Sequence, residues 1–191
     1  MDITFQNNKA PDKGKLLLSD PFLSDGYFDR SVVLLCEHNE KGSFGFVLNN
    51  YLDIAFEDIA NDFPAFDTKV SIGGPVSKEN LFFIHTLGDS IPNSEKITPQ
   101  IYAGGDFQII LDLIQSNTIN NHQIRFFVGY SGWGENQLKE ELNENAWIVS
   151  DADATDLIMD IHNDQLWETL MKQQGKKFER MTNFPQNPNL N

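Results

Sequence analysis

The sequence predicts a mixed fold, α/β or α+β, with substantial antiparallel pairing. Two observations carry this. Short stretches rich in β-branched and aromatic residues are interleaved with short segments of helical periodicity. Between two such stretches, Asn39-Glu40-Lys41-Gly42 reads as a hairpin loop, which makes the strands it joins antiparallel. No internal repeat or linker interrupts the chain, and 191 residues fit one domain. That domain is read as residues 14–175, after a flexible leader over 1–13 and before a disordered tail over 176–191.

The elements follow in order. Lys15 to Ser19 is a first strand, broken at Asp20-Pro21; Ser24 to Arg30 is a loop with aromatic anchors. Ser31 to His38 is a strong strand, and its continuous Val32-Val33-Leu34-Leu35-Cys36 predicts burial on both faces. Ser43 to Leu48 is its partner. Ile54 to Phe63 reads as a short helix with Ile54, Ile59 and Phe63 inward and Asp58 and Asp62 outward, stopped by Pro64. Lys69 to Ile72 and Leu81 to Leu87 are strands, and Gly88 to Pro92 a turn. Lys96 to Ala103 is a strand that Pro99 confines to an edge. Asp106 caps a helix running to Ile114. Ile124 to Tyr130 is an apolar strand, Glu135 to Leu142 a helix, and Ala146 to Val149 a short strand. A helical region through Leu157, Ile161, Leu166, Trp167, Leu170 and Met171 then closes at Gly175 as a C-cap glycine.

The most specific stretch is 126–138. Three glycines within six residues, Gly129, Gly132 and Gly134, are expected to break the strand and fold the backbone around Trp133. A glycine-rich turn entering a helix can hold an anion, but Glu135, Glu140 and Glu141 already place negative charge there. Gly129-Tyr130-Ser131-Gly132-Trp133 approaches the G-x-S-x-G nucleophile elbow, but a tryptophan stands where that turn needs a small residue.

Composition removes several function classes. The formal net charge of −14 opposes direct contact with nucleic-acid phosphates, and no basic stripe interrupts it. A single cysteine gives no disulfide framework and no CxxC zinc site, which points to a reducing, cytoplasmic setting. The first residues lack the basic and apolar regions of a signal peptide, and no apolar run reaches the roughly 20 residues of a membrane helix. No cofactor fingerprint is present.

Two features could carry chemistry. Cys36 and His38 are two apart on one strand and so are expected to share a face; the pair could activate a thiolate, or ligate a metal with His85 as third donor. The competing reading is a small buried hydrophobe beside a hydrogen-bonded strand-end histidine. Gly73-Gly74-Pro75-Val76 is a second tight turn where a ligand or chain could approach the backbone.

These motifs, in this order, resemble the AlgH/YqgE-like family of bacterial proteins: Lys15 to Leu18 with Asp20-Pro21, Arg30 to His38, Val47-Leu48-Asn49, Gly73 to Val76, Phe82 to His85, Gly129 to Gly134, Gln137-Leu138, Glu141-Leu142, Trp147 and Trp167. The likeness spans residues 14–172. It implies a split, largely antiparallel β-sheet curled into a barrel-like core with helices packed outside. Family members carry the label of transcriptional regulator. Asn50 stands where the family pattern often has proline. The resulting expectation is a non-enzymatic binding or regulatory protein without metal or cofactor. It would act through an unidentified protein or small-molecule partner rather than by direct DNA contact. Its candidate binding residues are Arg30, His85, Gly73, Gly74, Pro75, Tyr130, Ser131, Gly132, Trp133 and Gln137. The alternative is a thiol-dependent enzyme or redox sensor using Cys36 with His38.

Overall fold

In a computed structural model of the chain, the described residues are 7, 9–23, 27–60 and 63–184. Most of the expected leader, the loop tip at Ser24-Asp25-Gly26, Asp62 and the end of the tail from Pro185 lie outside them.

The apolar segments form β1 (Lys15–Ser19), β2 (Val32–Asn39), β3 (Gly42–Val47), β4 (Val70–Ile72), β5 (Val76–His85), β6 (Glu95–Lys96), β7 (Tyr102–Ala103), β8 (Ile124–Gly134) and β9 (Trp147–Asp151). They make one sheet in the order β6-β7-β5-β8-β3-β2-β1-β9, with β4 paired to β8 off this path. Only the β4–β8 ladder is parallel among these pairings. The helices are α1 (Phe56–Ile59), α2 (Phe107–Gln115), α3 (Gln137–Asn143), α4 (Thr155–Met159), α5 (Leu166–Gln173) and α6 (Lys176–Met181). The mixed, largely antiparallel architecture matches the reading of the sequence.

β8 is the hub. β5 runs along one edge of it (Phe83 opposite Phe126), and β4 takes the other (Val70 opposite Phe126). Beyond the end of β4, β3 pairs with the last residues of β8, Gly45 opposite Ser131 and Gly42 opposite Gly134. The glycines therefore do not end the strand at Tyr130. Only Gly129 takes a left-handed φ, of +69°, and it bends a strand that continues to Gly134.

The continuous apolar runs are explained by two cores, one on each side of β1 and β2. Leu16, Leu18, Val32, Leu34 and Phe46 face one that includes Ile97, Ile101 and Trp167. Leu17, Val33, Leu35 and Val47 face another with Trp133, Leu138 and Trp147. All of Val32 to Cys36 is fully buried, as the pattern predicts.

The barrel-like detail is corrected. The sheet is an open path, with β6 at one end and β9 at the other, and among the described residues no ladder joins them. β6 and β7 are two residues each, too short to close one. Side chains rather than a ladder connect the β6–β7 end to β1: Ile97 and Ile101 share the core of Leu16 and Leu34, and Lys13 pairs with Glu95 at 2.5 Å.

Other boundaries shift for local reasons. The expected helix at 54–63 shrinks to α1, with Phe56 buried and Ile54 53% exposed, because Phe56 packs edge-on against Phe63 and Phe66 and tilted against Phe126. The expected strand 96–103 is two short strands joined through Pro99, β6 at the sheet edge and β7 between β6 and β5. Asp106 caps α2 as expected, accepting from the backbone N–H of Gln108 and Ile109. Gly175, at φ +112°, directly follows the C-cap Gln174 and closes α5 as expected, but it also opens a further helix, α6, whose Met181 is buried and whose Phe178 packs on the core. Residues 176–181 of the expected tail are thus helical.

Candidate functional site

The two glycine segments pack against each other. A Cβ on Gly129 would stand 2.6 Å from Gly74 O, one on Gly73 2.3 Å from Gly129 O, and one on Gly74 2.3 Å from Tyr130 C. Ser131 Oγ donates to Gly73 O at 2.9 Å, and Gly73 N donates to Val128 O at 2.9 Å. Gly73, Gly74 and Ser131 are therefore buried framework. Pro75, Val76, Gly132 and Gly134 remain exposed on the surface that they shape.

Trp133 is 5% exposed and donates its indole N–H to Glu141 Oε2 at 2.8 Å. Gln137 ties the strand to α3: its Oε1 accepts from Gly134 N at 3.0 Å, and its Nε2 donates to Glu141 Oε1 at 3.0 Å. The tight packing expected around Trp133 is present, built from strand and helix rather than from a turn.

Two clefts flank the paired tips of β3 and β8. One, of about 400 Å3, is lined by Phe44, Val76, Tyr130, Gly132 and Trp133, with Glu37, Asn39 and Lys41 on its rim. The other, of about 920 Å3, lies between the β2–β3 tip, α3 and residues Asn7, Lys9 and Pro11, and includes His38, Ser43, Gly134, Asn136, Leu138 and Lys139. Gly42 and Ser43 line both.

The Cys36/His38 pair is not assembled. β2 carries a bulge between Leu35 and Glu37, so the alternation slips by one residue. Cys36 joins the core of Leu34 and Phe46. His38 pairs with Ser43, itself opposite the buried Trp133 of the other core. The two side chains thus leave β2 on opposite faces. Cys36 is fully buried, its thiol pushed well above the ordinary range first by burial and then by Glu95. Its Sγ contacts Leu34 O at 3.7 Å, while His38 Nδ1 bonds Ser43 Oγ at 2.7 Å.

His85 is also buried, and its ring nitrogens are engaged: Nε2 with Ser94 Oγ at 2.9 Å and Gly104 O at 3.1 Å, Nδ1 with Leu87 N at 3.2 Å. It is not brought to Cys36 or His38. Among the described residues, no group of three His, Cys, Asp or Glu stands close enough to hold a metal. Arg30 lies elsewhere, its guanidinium 5.1 Å over the Trp167 ring, 3.9 Å from Glu168 and donating to Phe184 O. It fastens the C-terminal helices to the sheet.

The structure adds residues that the sequence did not single out. Phe44 and Glu37 stand directly opposite each other across β2 and β3 at the smaller cleft. Arg125, 1% exposed, donates to Leu48 O and Ile158 O from inside the hub strand. A charged residue inside the apolar run Ile124 to Val128 was the available signal for Arg125. Phe44 and Glu37 had none, because only the pairing brings them together.

Among the described residues no helix is long and apolar enough to cross a membrane. The fold is similar to a crystal structure of a Corynebacterium diphtheriae protein, with a TM-score of 0.77 at 21% identity, covering 94% of this chain and 95% of that one. It is similar also to the solution structure of the AlgH protein of Pseudomonas aeruginosa, with a TM-score of 0.73 at 23% identity, covering 95% and 98%. In sequence the chain is 39% identical over 180 residues to a UPF0301 protein of Cytophaga hutchinsonii, covering 94% of this chain and 98% of the relative. It is 42% identical over 187 residues to a UPF0301 protein of Bacteroides fragilis, covering 97% and 94%. The AlgH-like family model matches residues 16–179, and with these relatives this means that the chain belongs to the AlgH-like family.

Proposed function

We propose that the protein is a non-enzymatic, cytoplasmic binding protein whose partner docks on the paired tips of β3 and β8. It exerts any regulatory role through that partner rather than by touching DNA. One observation carries this reading: Gly134 is a glycine that the fold itself does not require. It is exposed, its φ is not left-handed, and a Cβ there would meet nothing closer than Gln137 Oε1 at 4.0 Å. Glycine weakens a strand by about 0.5–1 kcal/mol relative to alanine. A bare backbone at that point is what a closely approaching partner needs. Exposed Gly132, Val76 and Pro75 continue the same surface. The net charge of −14 argues for a partner of opposite charge and against phosphate backbones.

The test is a photoreactive amino acid at the exposed position 135, which leaves Gly134 bare, in cells of the native host, with position 108 on the exposed face of α2 as control. A discrete cross-linked partner at 135 and none at 108 is the expected result. Equal or absent adducts at the two positions would remove the reading.

A further inference from the structure

We infer that the smaller cleft is a seat for an arginine side chain presented by the partner protein. This deepens the binding reading above and rests on it. Across β2, β3 and β8, Glu37, Phe44 and Gly132 form one cross-strand row, Glu37 opposite Phe44 and Phe44 opposite Gly132. Residues directly opposite share a face with Cβ atoms about 5 Å apart. The row therefore offers a carboxylate, an aromatic ring and then a position with no side chain. Tyr130, two residues from Gly132 on the same face, stands at 90° to Phe44 with ring centroids 5.5 Å apart. Both rings are half-buried and line the cleft of about 400 Å3.

Aromatic rings set at right angles beside a carboxylate select a cation. Ring faces carry negative charge, and Glu37 lies next to them. Glu37 Oε1 accepts from Asn39, which leaves Oε2 for an incoming donor. A guanidinium fits better than an ammonium, since its plane stacks on a ring while its fork reaches a carboxylate. Lys41, also on the rim, is the one cation among the residues that line the cleft. Over the whole chain the charge is −14, so a basic partner is drawn to this molecule and a second copy is repelled.

The experiment titrates the full chain with N-acetyl-arginine amide, following backbone amide shifts, with N-acetyl-citrulline amide as the neutral isostere. The expected result is shifts centred on Glu37, Phe44, Tyr130 and Gly132, with a Kd on the order of millimolar for so small a probe. Citrulline should bind at least about tenfold more weakly. Tyr130→Leu should weaken the arginine probe about tenfold, and Glu37→Gln severalfold. Tyr130→Phe keeps the ring and should bind as the parent does, which separates loss of the ring face from loss of fold. Equal binding of citrulline, shifts elsewhere, or unchanged binding by Glu37→Gln would overturn the inference. So would tetramethylammonium binding as tightly as the arginine probe, since the seat would then favour a free alkylammonium. If cross-links form at 135 while arginine fails to bind, only this inference falls; if no cross-links form, the binding reading falls with it.

Discussion

Trp133 and Trp147 donate their indole N–H groups to the same oxygen, Oε2 of Glu141, at 2.8 and 2.7 Å. Their rings meet near perpendicular with centroids 5.9 Å apart, and Phe28 packs against both. One carboxylate on α3 thus fastens the end of β8 to β9. Removing it leaves two part-buried donors without their acceptor, at about 1–3 kcal/mol each. Glu141→Ala is expected to lower unfolding free energy by about 2–4 kcal/mol in urea denaturation. Glu141→Gln keeps an acceptor oxygen and should lose roughly half as much. A loss under about 1 kcal/mol for Glu141→Ala would show that the indoles find other partners.

Two glycines of β8 should respond in opposite ways to the same substitution. Gly129 has φ +69°, and its Cβ would lie 2.6 Å from Gly74 O and 2.8 Å from Val76 O, both backbone atoms that cannot step aside. Gly129→Ala is expected to destabilise by more than about 2 kcal/mol. Gly134→Ala meets open space and should be neutral or stabilising by up to about 1 kcal/mol, through the entropy of the unfolded chain. Thermal denaturation of the two variants side by side checks the contrast. It also separates the glycine held by the fold from the one assigned to binding.

The sequence revealed most of the frame, because strand signals here are strong local patterns. Val32 to Cys36 predicted a doubly buried strand, Asp106 a helix cap, and Gly73-Gly74-Pro75 a turn, and each is in place. What it hid depends on partners distant in sequence. The bulge at Cys36 exists only against β3, and it reverses which face His38 takes. Three glycines looked like a break because a glycine's φ cannot be read from its neighbours; one of the three bends the strand and two pair normally with β3. Ile54 and Phe56 are two residues apart, and only the ring cluster around Phe126 decides which is buried.

Arg125 is the largest polar group inside the fold. It donates to Leu48 O and Ile158 O, and lies 3.3 Å from both Tyr51 Oη and Ser71 Oγ. Its guanidinium carbon also sits 5.7 Å from the centre of the Phe127 ring. No carboxylate among the described residues bonds to it, so carbonyls and hydroxyls carry the whole task of replacing water. Arg125→Lys cannot reproduce the fork and should destabilise by about 2–4 kcal/mol, nearly as much as Arg125→Met. Urea unfolding of the two variants decides this; a lysine variant within about 1 kcal/mol of the parent would mean that only charge matters.

Cys36 should behave as core. With the thiol fully buried and its ionisation opposed by that burial, alkylation in native conditions is expected to follow global unfolding, not thiolate chemistry. Labelling should therefore accelerate with urea in step with unfolding and change little when His38→Ala is introduced. Rapid labelling without denaturant, slowed by His38→Ala, would revive a thiol-based activity.

His85 gives the fold a pH dependence whose sign can be worked out. Burial pushes its pKa below the ordinary 6.5, and Nδ1 accepts from Leu87 N–H, so the folded state holds the neutral ring. Below about pH 6.5 the unfolded chain takes up a proton that the folded chain refuses. The stabilisation from His85 is thus complete above that pH and is lost as pH falls toward the folded value. His85→Gln lacks this titration, while the carboxylates titrate in both proteins. From about pH 7.5 down to about pH 5, the melting temperature of the parent should fall more steeply than that of the variant, narrowing the gap between them. Parallel curves would mean that the folded ring accepts the proton as readily as the unfolded one. The contacts at Ser94, Gly104 and Leu87 would then have to rearrange around an imidazolium.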